Sequence, residues 1–277
     1  MARTLKITTR NATFQQWQAL LTNRTKRQRA GEFLVQGVRP ITLAVEHGWA
    51  IRALLYADGR ALSGWARGVL ERVGGASRVA LAPELLRELG GKDEESPELL
   101  AVVGLPEDDL QRVPRTADML LMVFDRPTTP GNIGTLVRSA DAFGASGVVI
   151  TGHAADPYDP KAVRASTGSL FAVPVVRVPS HREVLDWAGS LRAAGLPVEV
   201  VGTDEHGDVD IAEHDLCGPK IIAVGNETHG LSAAWRESCD RMVRIPIVGA
   251  ASSLNAASAA TVVLYEAARQ RAAGRAR

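Results

Sequence analysis

The sequence predicts an α/β protein in two parts, a small N-terminal α/β domain and a larger C-terminal domain built on a parallel sheet. Three observations carry that prediction. Short apolar runs alternate with stretches of helical period along nearly the whole chain. The run Met119-Leu120-Leu121-Met122-Val123-Phe124 is apolar throughout, as are strands buried on both faces of a parallel sheet. Residues 105–117 are polar and carry Pro106 and Pro114, the composition of a linker. The domains are therefore read as 1–104 and 118–277; 277 residues exceed the usual single-domain size, and 45% apolar content can fill two cores.

The elements follow in order. Phe14, Trp17, Leu20 and Leu21 recur at helical spacing, giving a helix over 14–30 that ends in a basic turn. Phe33-Leu34-Val35 is a short strand stopped at Gly37, and a helical pattern resumes over 38–47. Strands at 51–56 and 78–80, helices at 61–72 and 83–89, and a strand at 101–104 complete the first part. After 119–124, further strands are expected at 147–151, 174–178, 197–202, 220–224 and 242–245. Helices are expected at 133–143, 160–168, 181–194, 232–238 and 253–272.

Charge is informative through its distribution. The net charge is only +1, but residues 1–30 hold seven basic residues and no acid, while residues 84–109 hold nine acids. Arg24, Lys26, Arg27 and Arg29 in the entry segment point to contact with a polyanion such as RNA; the alternative is a solvated arm. Cys217 and Cys239 form no CxxC pair or disulfide framework, which fits a reducing cytoplasm. No apolar stretch reaches membrane-spanning length, the N-terminus lacks a signal-peptide core, and six scattered histidines have no metal-ligand spacing.

Three segments place polar groups where strands give way to loops, the edge at which parallel sheets bind ligands. The first runs from Asp125 through Asn132-Ile133-Gly134 to Arg138-Ser139-Ala140. Asn132 reads as a cap for the following helix, and Arg138 as a cation facing the ligand edge. The second is Gly225-Asn226-Glu227-Thr228-His229-Gly230-Leu231, with Glu227 either functional or an acid leading the helix at 232–238. The third is Ser253-Leu254-Asn255, opening a helix of small residues that permits close backbone approach. Neither GxxxxGK[ST] nor GxGxxG occurs, which argues against a nucleotide phosphate loop.

Together these three segments resemble the ordered motifs NxGxxxRSA, GNExxGL and SLN of the SpoU branch of the SPOUT methyltransferases, which methylate ribose 2′-hydroxyls in RNA. The resemblance covers residues 118–272. Residues 12–104, especially Asn23-Arg24-Thr25-Lys26-Arg27 and Gly31-Glu32-Phe33-Leu34-Val35-Gln36-Gly37, are similar to the substrate-binding domain that precedes many of these enzymes, itself like a small ribosomal protein that binds bent RNA. The third motif departs from the family in continuing as Ala256-Ala257-Ser258 where valines are common.

The resemblance implies a deep C-terminal trefoil knot holding S-adenosylmethionine, and a homodimer packed near the small-residue helix, with no metal. Thr203, Gly225, Asn226, Ile245, Ile247 and Leu254 would then line the cofactor pocket. Arg138 would activate the 2′-hydroxyl, with Asn132, Glu227, Ser253 and Asn255 as its polar shell, and Glu227 would orient Arg138 through a charge-assisted hydrogen bond. Arg164 is a further candidate for touching RNA phosphate. The substrate implied is 23S ribosomal RNA, with transfer RNA as the alternative; a non-catalytic ribosome-assembly module is the reading from another class. Some enzymes of this build, the avilamycin-resistance methyltransferases among them, protect a producer's ribosomes from its own antibiotic, so housekeeping modification and self-resistance both stay open.

Overall fold

The computed structural model describes residues 4–91 and 96–275. The start of the basic entry segment, residues 1–3, and part of the acidic stretch, residues 92–95, lie outside the described residues. The chain divides into two compact units. One holds the residues up to Pro106 with Tyr158–Ala172; the other holds Glu107–Pro157 with Val173 onward.

The first unit contains strands β1 (Thr4–Ile7), β2 (Glu32–Gln36), β3 (Ile51–Ala57), β4 (Ser77–Leu81) and β5 (Leu99–Gly104) in the sheet order β1-β4-β3-β5-β2. The β1–β4 and β3–β4 pairs are parallel, whereas β5 runs antiparallel to β2 and β3. Helices α1 (Ala12–Thr22), α2 (Arg24–Ala30), α3 (Val38–Glu46), α4 (Gly64–Arg72) and α5 (Pro83–Gly90) connect the strands. The single helix expected over 14–30 is broken at Asn23. That residue is extended, and its side chain accepts from the Lys26 N–H, so it ends α1 and caps α2. Strand β1 escapes sequence reading because only Ile7 of its four residues is buried.

The second unit is a seven-stranded sheet: β6 (Leu120–Asp125), β7 (Gly147–Thr151), β8 (Val175–Val178), β9 (Glu199–Thr203), β10 (Val209–Asp210), β11 (Lys220–Val224) and β12 (Arg241–Arg244). The order is β10-β12-β9-β11-β6-β7-β8, and every pairing is parallel. The helices along this half of the chain are α6 (Pro130–Ala142), α7 (Pro160–Ala165), α8 (His181–Ala193), α9 (Ala233–Ser238) and α10 (Ala256–Arg275). Of these, α7 groups with the first unit, although sequence places it inside the second domain. It stops sooner than expected because Thr167 and Gly168 take φ of +50° and +101°.

Because the strands are parallel, β6, β9, β11 and β12 all end at one edge. β11 lies between β6 and β9, with Val224 beside Phe124 and Ala223 beside Gly202. The chain therefore brings residues 125–132, 203–206, 225–232 and 245–255 out at the same edge. One face of the sheet is packed by Val184, Trp187 and Leu191 of α8 and Trp235 of α9.

Candidate active site

Gly225 follows β11 directly, and the chain then folds back on itself. Asn226 and Gly230 exchange backbone hydrogen bonds of 3.0 Å in both directions. A Cβ on residue 225 would lie 2.1 Å from the Gly230 carbonyl carbon and the Leu231 nitrogen, so only glycine permits the fold-back. Gly230 takes φ +63°, a second position that favours glycine. The Asn226 side-chain oxygen Oδ1 accepts from the Thr228 and His229 N–H groups, and its side-chain amide Nδ2 donates to the Arg126 carbonyl at 2.6 Å. Leu231 is buried in the core and anchors the end of the loop. The spacing of Gly, Asn, Gly and Leu in this motif thus has a geometric cause at each position.

Glu227 projects from this loop onto the start of α6. Its carboxylate accepts from the Thr128 N–H at 3.0 Å, the Thr128 hydroxyl at 3.1 Å, the Thr129 N–H at 3.2 Å and the Asn132 amide at 2.9 Å. Two of these donors are backbone groups at the helix N-terminus, where the macrodipole favours an anion. Asn132 is therefore not the cap of α6: Pro130 opens the helix, Thr129 has no side-chain cap, and Glu227 supplies the acceptor from another loop. Asn132 instead links the other two motifs, accepting from the Asn255 amide at 3.3 Å. Asn255 in turn accepts from the Ala257 and Ser258 N–H groups, so α10 starts at Ala256, capped by Asn255, and Ser253 stands in the preceding loop.

Partial burial pushes the Glu227 carboxyl upward, but the hydrogen bonds from Thr128, Asn132 and the backbone outweigh it, leaving its pKa below the ordinary value. A depressed carboxylate pKa means that the stabilisation is fully present above the unfolded value, about 4.3, and is lost as pH falls through the lower folded value. Glu227→Gln is expected to cost about 1 kcal/mol at neutral pH, after allowance for solvent screening. The gap between wild type and variant in denaturant melts should close below about pH 4.

Beside this junction lies a cavity of about 470 Å³. Its wall is formed by Val224, Gly225 and Asn226 from the β11 loop, Thr203 at the end of β9, and Ile245, Ile247 and Leu254 from the segment before α10. The six residues expected at the cofactor are thus gathered around one space. Glu227 and Ser253 also line it. Sequence reading overlooked Asp204, Glu205, His206 and Arg236 at the same cavity. Asp204 pairs with Arg236 at 3.3 Å. The acidic pair directly after the strand ending at Thr203 was the available signal. Among the described residues, no group of three or more His, Cys, Asp or Glu could hold a metal ion.

Arg138 stands elsewhere. It is exposed on α6 and has no hydrogen-bond or ion-pair partner among the described residues, and it does not line the cavity. The expected bond from Glu227 to Arg138 is not made, because the start of α6 occupies that carboxylate. The small side chains of α10 are used within the chain: Ala257 and Ala260 are buried, and the Thr261 and Ser139 hydroxyls lie 2.7 Å apart. Val262 and Tyr265 stay exposed on the same helix.

The basic segment divides. Lys26 and Arg29 are exposed, and Arg24 is half-buried. Arg27 is only 2% exposed; it donates to the Leu20 carbonyl at 2.7 Å and pairs with Asp159 at 3.5 Å. Its assignment to RNA is therefore corrected: the break at Asn23 turns this side of α2 inward, and the guanidinium is consumed by the fold. Arg27→Ala should cost about 3 kcal/mol in denaturant unfolding, because it removes a buried guanidinium from the Leu20 carbonyl and the half-buried Asp159. Lys26→Ala and Arg29→Ala should stay within about 0.5 kcal/mol, as surface substitutions do. Arg164 is exposed and lines a separate cavity of about 300 Å³ in the first unit with Gln36, Trp65 and Leu99.

Comparison with known proteins gives this geometry a context. The profile of the SpoU rRNA Methylase family matches residues 119–265, and that of the SpoU L30e-like domain matches residues 11–101. The 23S rRNA (uridine(2479)-2′-O)-methyltransferase of Streptomyces viridochromogenes is 62% identical over 270 residues, covering 98% of this chain and 94% of that protein. The crystal structure of the SpoU methyltransferase AviRb from Streptomyces viridochromogenes in complex with AdoMet has a TM-score of 0.90, covering 94% of this chain and 98% of that one. An AdoMet-bound rRNA methyltransferase from Sinorhizobium meliloti, 27% identical, has a TM-score of 0.84 over 96% of this chain and 98% of that one.

Proposed function

The chain belongs to the SpoU rRNA methylase family, and on that footing we propose that it transfers a methyl group from S-adenosylmethionine to a uridine 2′-oxygen in 23S ribosomal RNA. The observation that carries the reading is the convergence of three distant loops on one cavity, joined by the Asn255–Asn132–Glu227 chain of hydrogen bonds. The 62% identity to a 23S rRNA uridine methyltransferase over nearly the full length of both proteins supports the choice of RNA.

The cavity suits the cofactor. Its volume falls within the range of about 300–1,000 Å³ common to small-molecule sites. Ile245, Ile247 and Leu254 offer an apolar surface for a purine, and Asp204 and Glu205 offer carboxylates to a cationic ligand. When bound, S-adenosylmethionine supplies an electrophilic methyl on a good leaving group. The protein's task is then to orient a ribose hydroxyl and manage its proton.

In this reading Arg138 provides the positive charge that stabilises the oxygen as its proton departs. Arginine keeps its charge at neutral pH, so electrostatic stabilisation fits it better than simple base catalysis. Glu227 fixes the start of α6 and Asn132, and so sets the position of the helix that carries Arg138. Asn255 and Ser253 hold the segment before α10 against the cavity. Residues up to 104 form the RNA-gripping domain, where Arg24, Lys26 and Arg29, together with Arg164 of the α7 segment that groups with it, contribute phosphate contacts and a salt-sensitive affinity. A homodimer, with the exposed Val262 and Tyr265 of α10 covered by a second copy, and a knotted path through the 225–255 region complete the proposal.

The test is incubation with methyl-labelled cofactor and separate pools of undermethylated 23S RNA and transfer RNA. Label entering the 23S RNA alone is expected; label confined to transfer RNA would overturn the substrate assignment. Calorimetry without RNA checks cofactor uptake independently.

A further inference from the structure

Asp125 does not line the cofactor cavity, and no step above uses it. It is nonetheless 3% exposed and densely bonded. One carboxylate oxygen accepts from the Thr151 hydroxyl at 3.0 Å, tying the ends of β6 and β7 together. The other accepts from the Arg126 Nε at 3.1 Å and from the Ser232 N–H at 3.1 Å, the residue that caps α9. Arg126 is held in a left-handed conformation, φ +50°, uncommon for a residue with a side chain. Its side chain lies over Gly152, where a Cβ would come within 2.8 Å of the Arg126 Cγ.

From that constrained position Arg126 reaches the loop that walls the cavity. Its carbonyl accepts the Asn226 amide at 2.6 Å, and its Nη2 approaches the Gly230 carbonyl at 3.5 Å. With the bond from Asp125 to Ser232, residues 125 and 126 therefore hold the loop at its beginning, near its end and just beyond it. A backbone strained at one point and over-determined by its neighbours is a recurring feature of functional sites.

We propose that Asp125 is a positioning residue that acts through Arg126 as a latch, holding residues 226–232 in the shape that receives the cofactor. The proposal rests on the methyltransferase reading above. It assigns the latch to cofactor affinity and not to the transfer step, because neither residue lines the cavity.

The experiment measures S-adenosylmethionine affinity by calorimetry, turnover on 23S RNA at saturating cofactor, and melting temperature for the full chain and three variants. Asp125→Ala and Asp125→Asn remove all or part of the acceptor set, and Arg126→Ala removes the half-buried arm that pairs with Asp125 and reaches Gly230. The expected result is a Kd raised about 10-fold or more in Asp125→Ala and less in Asp125→Asn, consistent with the loss of charge-assisted bonds. Arg126→Ala should raise Kd about 3-fold, with turnover at saturation retained and the melting temperature lowered, because the buried Asp125 carboxylate loses its ion-pair partner. Unchanged Kd in Arg126→Ala and Asp125→Asn, or lost turnover at unchanged Kd, would overturn the latch. Should Asp125→Ala fail to fold, Arg126→Ala alone decides. Wild-type chain that takes up no cofactor would overturn the methyltransferase reading and the latch together, a result distinct because it appears before any substitution is made.

Discussion

Arg138→Ala is expected to lower methyl-transfer turnover by at least about 100-fold, the lower range for positioned acid–base groups, while cofactor affinity stays within about 2-fold. The split follows from geometry. The guanidinium does not line the cavity, so its removal leaves the cofactor's surroundings intact. It is exposed and has no partner among the described residues, so its loss leaves no buried charge and the fold should be unaffected. Arg138 lies six residues beyond Asn132 on α6, about 9 Å along the axis at 1.5 Å per residue. Single-turnover transfer to 23S RNA beside calorimetry of S-adenosylmethionine measures both halves. Equal loss of binding and turnover would mean that the arginine supports the pocket and not the chemistry.

Gly225→Ala should have the opposite signature. The added methyl would meet two backbone atoms at 2.1 Å, and backbone cannot swing aside as a flexible side chain can. The fold-back between Asn226 and Gly230 would have to open, carrying Glu227 away from Thr128, Thr129 and Asn132. A cost of about 3 kcal/mol in stability is expected, the upper end for overpacking, with cofactor affinity down more than about 10-fold. Denaturant melts and calorimetry read the two effects. An alanine variant that binds cofactor as tightly as wild type would show that the tight approach at residue 225 is unnecessary to the pocket.

These expectations show where sequence was legible. The loops after apolar strands are readable because parallel strands must finish at one edge, which brings the segments starting at Asp125 and Gly225 together, whereas Thr203 and Ile245 were expected at the cofactor through the family resemblance. Gly225 and Asn226 were legible for the same reason, since their types fit a sharp turn after a strand. What failed to show was the choice of partner. Glu227 could have met Arg138 or the start of α6 on charge alone, and the bonds to Thr128 and Thr129 arise from how two loops stack across β6 and β11. Arg27 looked like its neighbours because composition cannot report that Asn23 breaks the helix and turns one arginine of a basic run inward. The bonds of Asp125 were hidden likewise, since its partners Thr151 and Ser232 lie 26 and 107 residues away in sequence.

The most direct measurement is the chemical position of the transferred methyl. Undermethylated 23S RNA is incubated with the wild-type protein and methyl-labelled S-adenosylmethionine, then hydrolysed with alkali, which cleaves after every ribose that keeps its 2′-hydroxyl. The expected result is label in a single alkali-resistant dinucleotide carrying a uridine methylated on its ribose, appearing at least about 100-fold more slowly with Arg138→Ala. Label released in mononucleotides as a methylated base, or no label in the RNA despite measured cofactor binding, would contradict the assignment of this site to ribose 2′-oxygen methylation.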